Sequence, residues 1–286
     1  MDVREIESLL GDYVESAEGN RVQGSYALDQ ALVGTTYFKR PLVRCAAADD
    51  PLFRRIRDDG RVLGPEFRLP SEWLPGARSV VSVCFPMSDE VCRSNVDDLE
   101  RPSDLWLHAR IEGQQFIAET TRLLVGWLEG RGFSAVAPSQ SPDFEAVRQD
   151  RRTPGAPLYV SRWSERHVAF VAGMGTFDLS AHLITPAGKA MRLSSVVTDA
   201  RLEPTERPYG EDPFAYCTRC GACVARCPVG AISLPGGKDV ALCSEVVARS
   251  KERFSPRLGC GKCQLGVPCQ SRIPEPRFSH VRAYLA

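Results

Sequence analysis

"YCTRCGACVARCPVGAIS", residues 216–233, places four cysteines, Cys217, Cys220, Cys223 and Cys227, at intervals of two, two and three residues, with Pro228 directly after the last. Three thiols nested this closely reach three corners of one cubic cluster only if the backbone between them loops tightly, and Gly221 permits that loop. Zinc is the competing ligand, but its sites usually come as separated C-x2-C pairs. The spacing therefore reads as a 4Fe-4S site.

C-x2-C-x2-C-x3-C-P is the bacterial ferredoxin run, in which the fourth cysteine ligates a second cluster. A second cluster needs three further thiols, and the first needs one returned to it. Four follow: Cys243, then Cys260, Cys263 and Cys269 in "LGCGKCQLGVPCQ". The expected grouping is Cys217, Cys220, Cys223 with Cys269, and Cys227 with Cys243, Cys260, Cys263. Eleven cysteines with no secretory leader point to metal rather than to disulfides. Cys45, Cys84 and Cys92 stand apart from this region and read as small buried hydrophobes.

A two-cluster ferredoxin accounts for about 60–80 residues of the 286. The division is expected in the proline- and charge-rich "EPTERPYGEDPFAY", giving domains over 1–205 and 206–286. Upstream, "ARSVVSVCFP" (77–86) reads as a buried strand and "DLWLHARIEGQQFIAETTRLLVGWLEGRG" (104–132) as a long amphipathic helix. "FSAVAPS" reads as a strand, and 164–175 as a helix capped by Ser164 and closed at Gly173. Residues 189–204 read as a strand pair or one long strand. The mixture predicts an α+β layer rather than a regular βαβ repeat. Walker and G-x-G-x-x-G loops are absent from the sequence.

Lys+Arg and Asp+Glu balance at 36 each. Bulk charge therefore does not advertise nucleic acid, and no tight tRNA binding is expected. No uncharged apolar run of about 18 residues occurs, so no membrane partner is expected. The acidic, amphipathic opening lacks the pattern of an export signal, and the cytoplasm is the expected location.

Three segments together resemble the epoxyqueuosine reductases and the related cobalamin-dependent reductive dehalogenases: "LPGARSVVSVCFP", "SERHVAFVAGMGTFDLSAHLITPAGKAMRLSSVVTD" and "CTRCGACVARCPVGAI" with the later cysteines. The resemblance runs over about residues 70–270. It implies a nitroreductase-like cobalamin-binding α+β domain followed by a two-cluster ferredoxin-like domain. Electrons from a reduced ferredoxin or flavodoxin type donor would pass through the clusters to cobalt and reduce a small molecule or a corrinoid. The family's aspartate proton donor aligns with Tyr159, and the dehalogenases use a tyrosine in that role. Tyr159 with Arg166 is thus the expected catalytic pair, and Gly173, Gly175, Thr176 and Phe177 the expected cobalamin wall. The family's Trp and Gly-Lys after the second glycine are replaced here by Thr176, Phe177, Asp178 and Leu179. Two alternatives stay open: a true tRNA epoxyqueuosine reductase, and a non-catalytic electron-transfer or reductive-activation protein.

Overall fold

The computed structural model describes residues 1–148 and 158–275. Most of the basic segment 147–155 and the last residues of the chain lie outside them. In chain order the elements are α1 (Val3–Ser16), β1 (Leu42–Ala47), α2 (Pro51–Asp58), α3 (Pro70–Trp73), β2 (Ser79–Pro86), α4 (Asp89–Ser94) and α5 (Asp104–Glu129). Then come β3 (Ala135–Val136), β4 (Ala146–Arg148), β5 (Tyr159–Ser161), α6 (Glu165–Val171), β6 (Thr176–Phe177), β7 (Leu183–Ile184) and β8 (Met191–Thr198). The cysteine-rich part adds α7 (Ala222–Ala225), β9 (Ile232–Ser233), β10 (Gly237–Lys238) and α8 (Val240–Phe254).

The central sheet runs β1-β2-β8-β3, antiparallel at every pairing. Its two long inner strands are β-branched and buried, which suits a sheet covered on both faces. Alternation assigns the faces. Val43, Cys45, Val81, Val83 and Phe85 pack with Ile6, Leu10 and Val14 of α1 and with Phe116, Ile117 and Leu124 of α5. Ala46, Val80, Cys84 and Val197 pack against Leu52, Phe53 and Ile56 of α2 and Val168, Ala169 and Val171 of α6. The architecture is helix, sheet, helix.

The helix expected over 104–132 begins where Ser103 Oγ accepts the Trp106 N–H at 3.1 Å, and it ends at Gly130. "FSAVAPS" gives only the two-residue β3, because Pro138 opens a 3₁₀ turn. Residues 189–204 form the single strand β8, not a pair. The proline-rich stretch after it follows the edge of β1. Thr205 N donates to Cys45 O at 2.8 Å, and Arg207 pairs with Asp50 at 2.6 Å.

The cysteine-rich part is bound to the sheet domain by specific contacts. Lys189 N and Ala190 N donate to Cys269 O and Gln270 O, at 2.9 and 3.0 Å. Asn95 Nδ2 donates to Cys260 O at 2.9 Å. Lys262, fully buried, donates to Asn95 Oδ1 and Arg101 O. Arg257 pairs with Glu112 at 2.7 Å.

Candidate functional site

Cys217, Cys220, Cys223 and Cys269 line one narrow cavity, together with Asp178, Leu179 and Ile184. Cys227, Cys243, Cys260 and Cys263 line a second, much larger one of about 740 Å³. The two sets are those that the spacing grouped. Gly221 and Gly261 both sit at positive φ, 77° and 76°, and open the short helical turns that carry Cys223 and Cys263. Among the described residues, no three His, Cys, Asp or Glu side chains close in as a single metal ion requires. Cys45, Cys84 and Cys92 lie in the core, where burial pushes their thiols up to about 12, 12 and 11.

The large cavity lies between the sheet domain and the cysteine-rich part. One wall is a stripe of α5: Arg110, Gln114, Ile117, Ala118 and Thr121, at helical spacing. Met191, Arg192, Leu193 and Ser194 of β8 form another. Trp163, Ser164, Glu165 and Arg166 close it from the start of α6, and His182 and Lys238 complete it.

Glu165 is held in a defined way. Trp163 Nε1, which can only donate, donates to Ser195 Oγ at 2.8 Å. The Ser195 hydroxyl is left to donate to Glu165 Oε2 at 2.6 Å. Glu165 Oε1 is buried and has no hydrogen-bond partner among the described residues. Burial pushes this carboxyl up to about 7, against a smaller lowering by Ser195 and Ser139.

His182 follows similar logic. Ser180 Oγ donates to Asp178 at 2.8 Å, so it accepts from Lys189 at 3.1 Å and from His182 Nδ1 at 3.0 Å. The imidazole is therefore the Nδ1–H tautomer, and among the described residues its Nε2 has no hydrogen-bond partner. Burial first, then Lys238, Lys189, Arg166 and Arg110, hold its pKa well below the ordinary value and keep it neutral. Asp178 and Lys189 form a fully buried ion pair, which Ser180 also joins.

Two expected groups sit elsewhere. Tyr159 is 46% exposed and does not line the cavity. Along β5 it is Val160 that faces the core, so the tyrosine on its N-terminal side turns outward. Gly173, Gly175, Thr176 and Phe177 do not line the cavity either. The glycines do allow close approach, but by the chain itself. A Cβ on Gly173 would lie 2.8 Å from Glu206 O, and one on Gly175 2.0 Å from Ile184 O. Thr176 Oγ1 accepts the Tyr216 N–H at 2.9 Å, and Phe177 N donates to Pro213 O at 2.6 Å. This turn therefore fixes the segment that leads into Cys217. Arg166 does line the cavity, with Nη1 donating to Ala181 O. Glu165, Arg110, Arg192 and His182 join it in the lining, beyond the residues the sequence motifs mark. The sequence signals were there: a charge inside the buried strand β8, and polar residues on the inner stripe of α5.

This arrangement is that of an iron–sulfur protein whose cysteine-rich part abuts a cavity in an α+β domain. The 4Fe-4S binding domain family matches residues 214–233. An epoxyqueuosine reductase from Bacillus subtilis superposes with a TM-score of 0.50 at 20% identity, covering 96% of this chain and 70% of that one. A catabolic reductive dehalogenase in complex with 3-bromo-4-hydroxybenzoic acid superposes with a TM-score of 0.52 at 14% identity, covering 96% of this chain and 37% of that one. In sequence, the epoxyqueuosine reductase of Yersinia pestis is 32% identical over 115 residues, 36% of this chain and 27% of that protein. A polyferredoxin of Methanothermobacter marburgensis is 43% identical over 56 residues, 20% of this chain and 13% of that protein. These stretches are thus a small part of the curated relatives' own lengths. The chain has the fold of the epoxyqueuosine reductases and reductive dehalogenases and carries a 4Fe-4S binding domain. Among the described residues no helix is long and apolar enough to cross a membrane.

Proposed function

We propose that this protein is an iron–sulfur reductase. One 4Fe-4S cluster would be held by Cys217, Cys220, Cys223 and Cys269, and a second by Cys227, Cys243, Cys260 and Cys263. The large cavity would hold a cobalamin and the small molecule or corrinoid to be reduced. The observation that carries this reading is the second set of thiols lying in the wall of a cavity of about 740 Å³. A dehalogenase of the same fold, superposing with a TM-score of 0.51, is described as B12-dependent. The second cluster would take the end of this cavity lined by its four cysteines, and a ligand the part between α5, β8 and the start of α6.

The clusters supply single electrons and cobalamin a reducible cobalt; the chain supplies position, dryness and protons. Met191–Ser194 of β8, Leu183 and the inner stripe of α5 would hold the cofactor. Glu165 replaces Tyr159 as the proton source in this reading. A carboxyl near 7 is matched to proton delivery at neutral pH, whereas the Tyr159 phenol lies outside the cavity. The Trp163–Ser195 chain fixes the orientation of this carboxyl by directing the Ser195 hydroxyl onto Oε2.

Anaerobic reconstitution tests this. Iron and sulfide should reach about eight each per chain. Hydroxocobalamin added to the reduced protein should bind and change its visible spectrum. Intact clusters with neither binding nor cobalt reduction would leave only an electron-transfer role.

A further inference from the structure

The large cavity holds more positive charge than the chain neutralises. Arg110 from α5, Arg166 from α6, Arg192 from β8 and Lys238 from β10 all line it. The one carboxylate among its lining residues is Glu165, which burial keeps partly protonated at neutral pH. Each guanidinium has five N–H donors. The described residues take up few of them: Arg166 Nη1 on Ala181 O, and Arg192 Nη2 on Gln114 Oε1 at 2.6 Å. Arg110 Nε is buried with no partner. Arg166 is open to the cavity, yet protein surrounds it closely enough to lower its pKa. Arg192 is pushed down to about 9, by burial first and then by Arg110 and Arg166. Keeping such groups together costs stability, since buried charges are ordinarily paired.

Structural explanations cover only part of this. Cys243 and Cys260 favour the charge on Arg110, which therefore faces the second set of thiols and would offset a cluster's negative charge. No cysteine has that effect on Arg166 or Arg192. Asp178 favours Arg166, but Lys189, Ser180 and the His182 N–H already hold it. The cation–π contacts among the described residues belong to other arginines.

We propose that Arg166 and Arg192 form an oxyanion-binding site in this cavity, and that its ligand presents a carboxylate or a phosphate. Planar guanidinium forks suit both groups, and a water-poor cavity strengthens the interaction. The inference rests on the reductase reading only in naming the source of the anion. That source is either an anionic substrate or the phosphodiester of a bound cobalamin.

The test uses the full chain with both clusters intact, without oxygen, and inorganic phosphate or succinate as probe. Calorimetry should show saturable binding. Arg166→Gln and Arg192→Gln should each weaken it by about tenfold or more, whereas Arg54→Gln, on an exposed face, should not. Without probe, both cavity variants should keep their cluster absorption and melt no lower than the parent, because a repulsion has been removed. Absence of saturable binding, or unchanged affinity in both cavity variants, overturns the proposal. Competition assigns the source. Phosphate displaced by cobalamin, but not by cobinamide (which lacks the nucleotide phosphate), places the cofactor's phosphodiester in the site. Phosphate that binds beside cobalamin places the substrate's anion there. Phosphate binding in a protein that takes up no cobalamin sinks the cobalamin reading and leaves the anion site standing.

Discussion

Replacing Glu165 by glutamine should change stability in a pH-dependent way. Glutamine keeps the shape and the acceptor for Ser195 while removing the ionisation. In the folded protein this carboxyl is raised from its ordinary 4.5 to about 7. Below pH 4.5 it is protonated whether the chain is folded or not, and it costs nothing. Between 4.5 and 7 the unfolded chain loses the proton while the folded protein keeps it, so stability falls with rising pH. Above 7 both forms are ionised, and the folded protein carries the full penalty of a buried carboxylate. A shift of that size corresponds to about 3 kcal/mol, at ~1.4 kcal/mol per pH unit. Urea unfolding of parent and Glu165→Gln, anaerobically from pH 4.5 to 8.5, should give curves that nearly coincide at the acid end. The variant should then gain up to about 3 kcal/mol by pH 8. Infrared titration should show a protonated-carboxyl band that is lost near pH 7 in the parent and missing in the variant. Parallel stability curves, or a band lost near pH 4.5, would refute both the raised pKa and the proton-donor role built on it.

Cys217→Ser and Cys227→Ser should disturb different EPR signals, since the two residues lie in different thiol sets; loss of one common signal from both would contradict the grouping. Gly261→Ala would set a Cβ 2.0 Å from the Trp106 indole at a φ of 76°. It should lower the melting temperature and strip iron from the second set of thiols, while Gly24→Ala, with nothing within 4 Å, should do neither. Asp178→Ala would leave the Lys189 ammonium buried without its partner and should cost about 3–5 kcal/mol in urea unfolding. Tyr159→Phe, at a side chain outside the cavity, should change both turnover and stability little, within about 0.5 kcal/mol for the latter.

What could be read from the sequence was what the chain encodes locally. The thiol spacing, the strand over 79–86 and the helix over 104–129 each depend on residues close together in the chain. The cavity does not. Arg110, Glu165, Arg192 and Lys238 meet only because α5 crosses β8 and the cysteine-rich part folds back over both. The resemblance aligns the family's proton donor with Tyr159, but position along a strand fixes a side, and Val160 occupies the inner one. Two glycines in one turn suggest room for a ligand, but the close approach they permit is that of the Glu206 and Ile184 carbonyls. The Gly173–Phe177 turn holds the segment entering Cys217, and the two thiol sets are tied to different parts of the sheet domain. The first set is tied by the Lys189 and Ala190 N–H groups to the start of β8, the strand that carries Arg192. The second is tied by Asn95 and Lys262 to α4 and the loop before α5. A strand that faces the cavity and the turn between α4 and α5 thus each anchor one thiol set, which ties both sets to the sheet domain independently of the chain that links them.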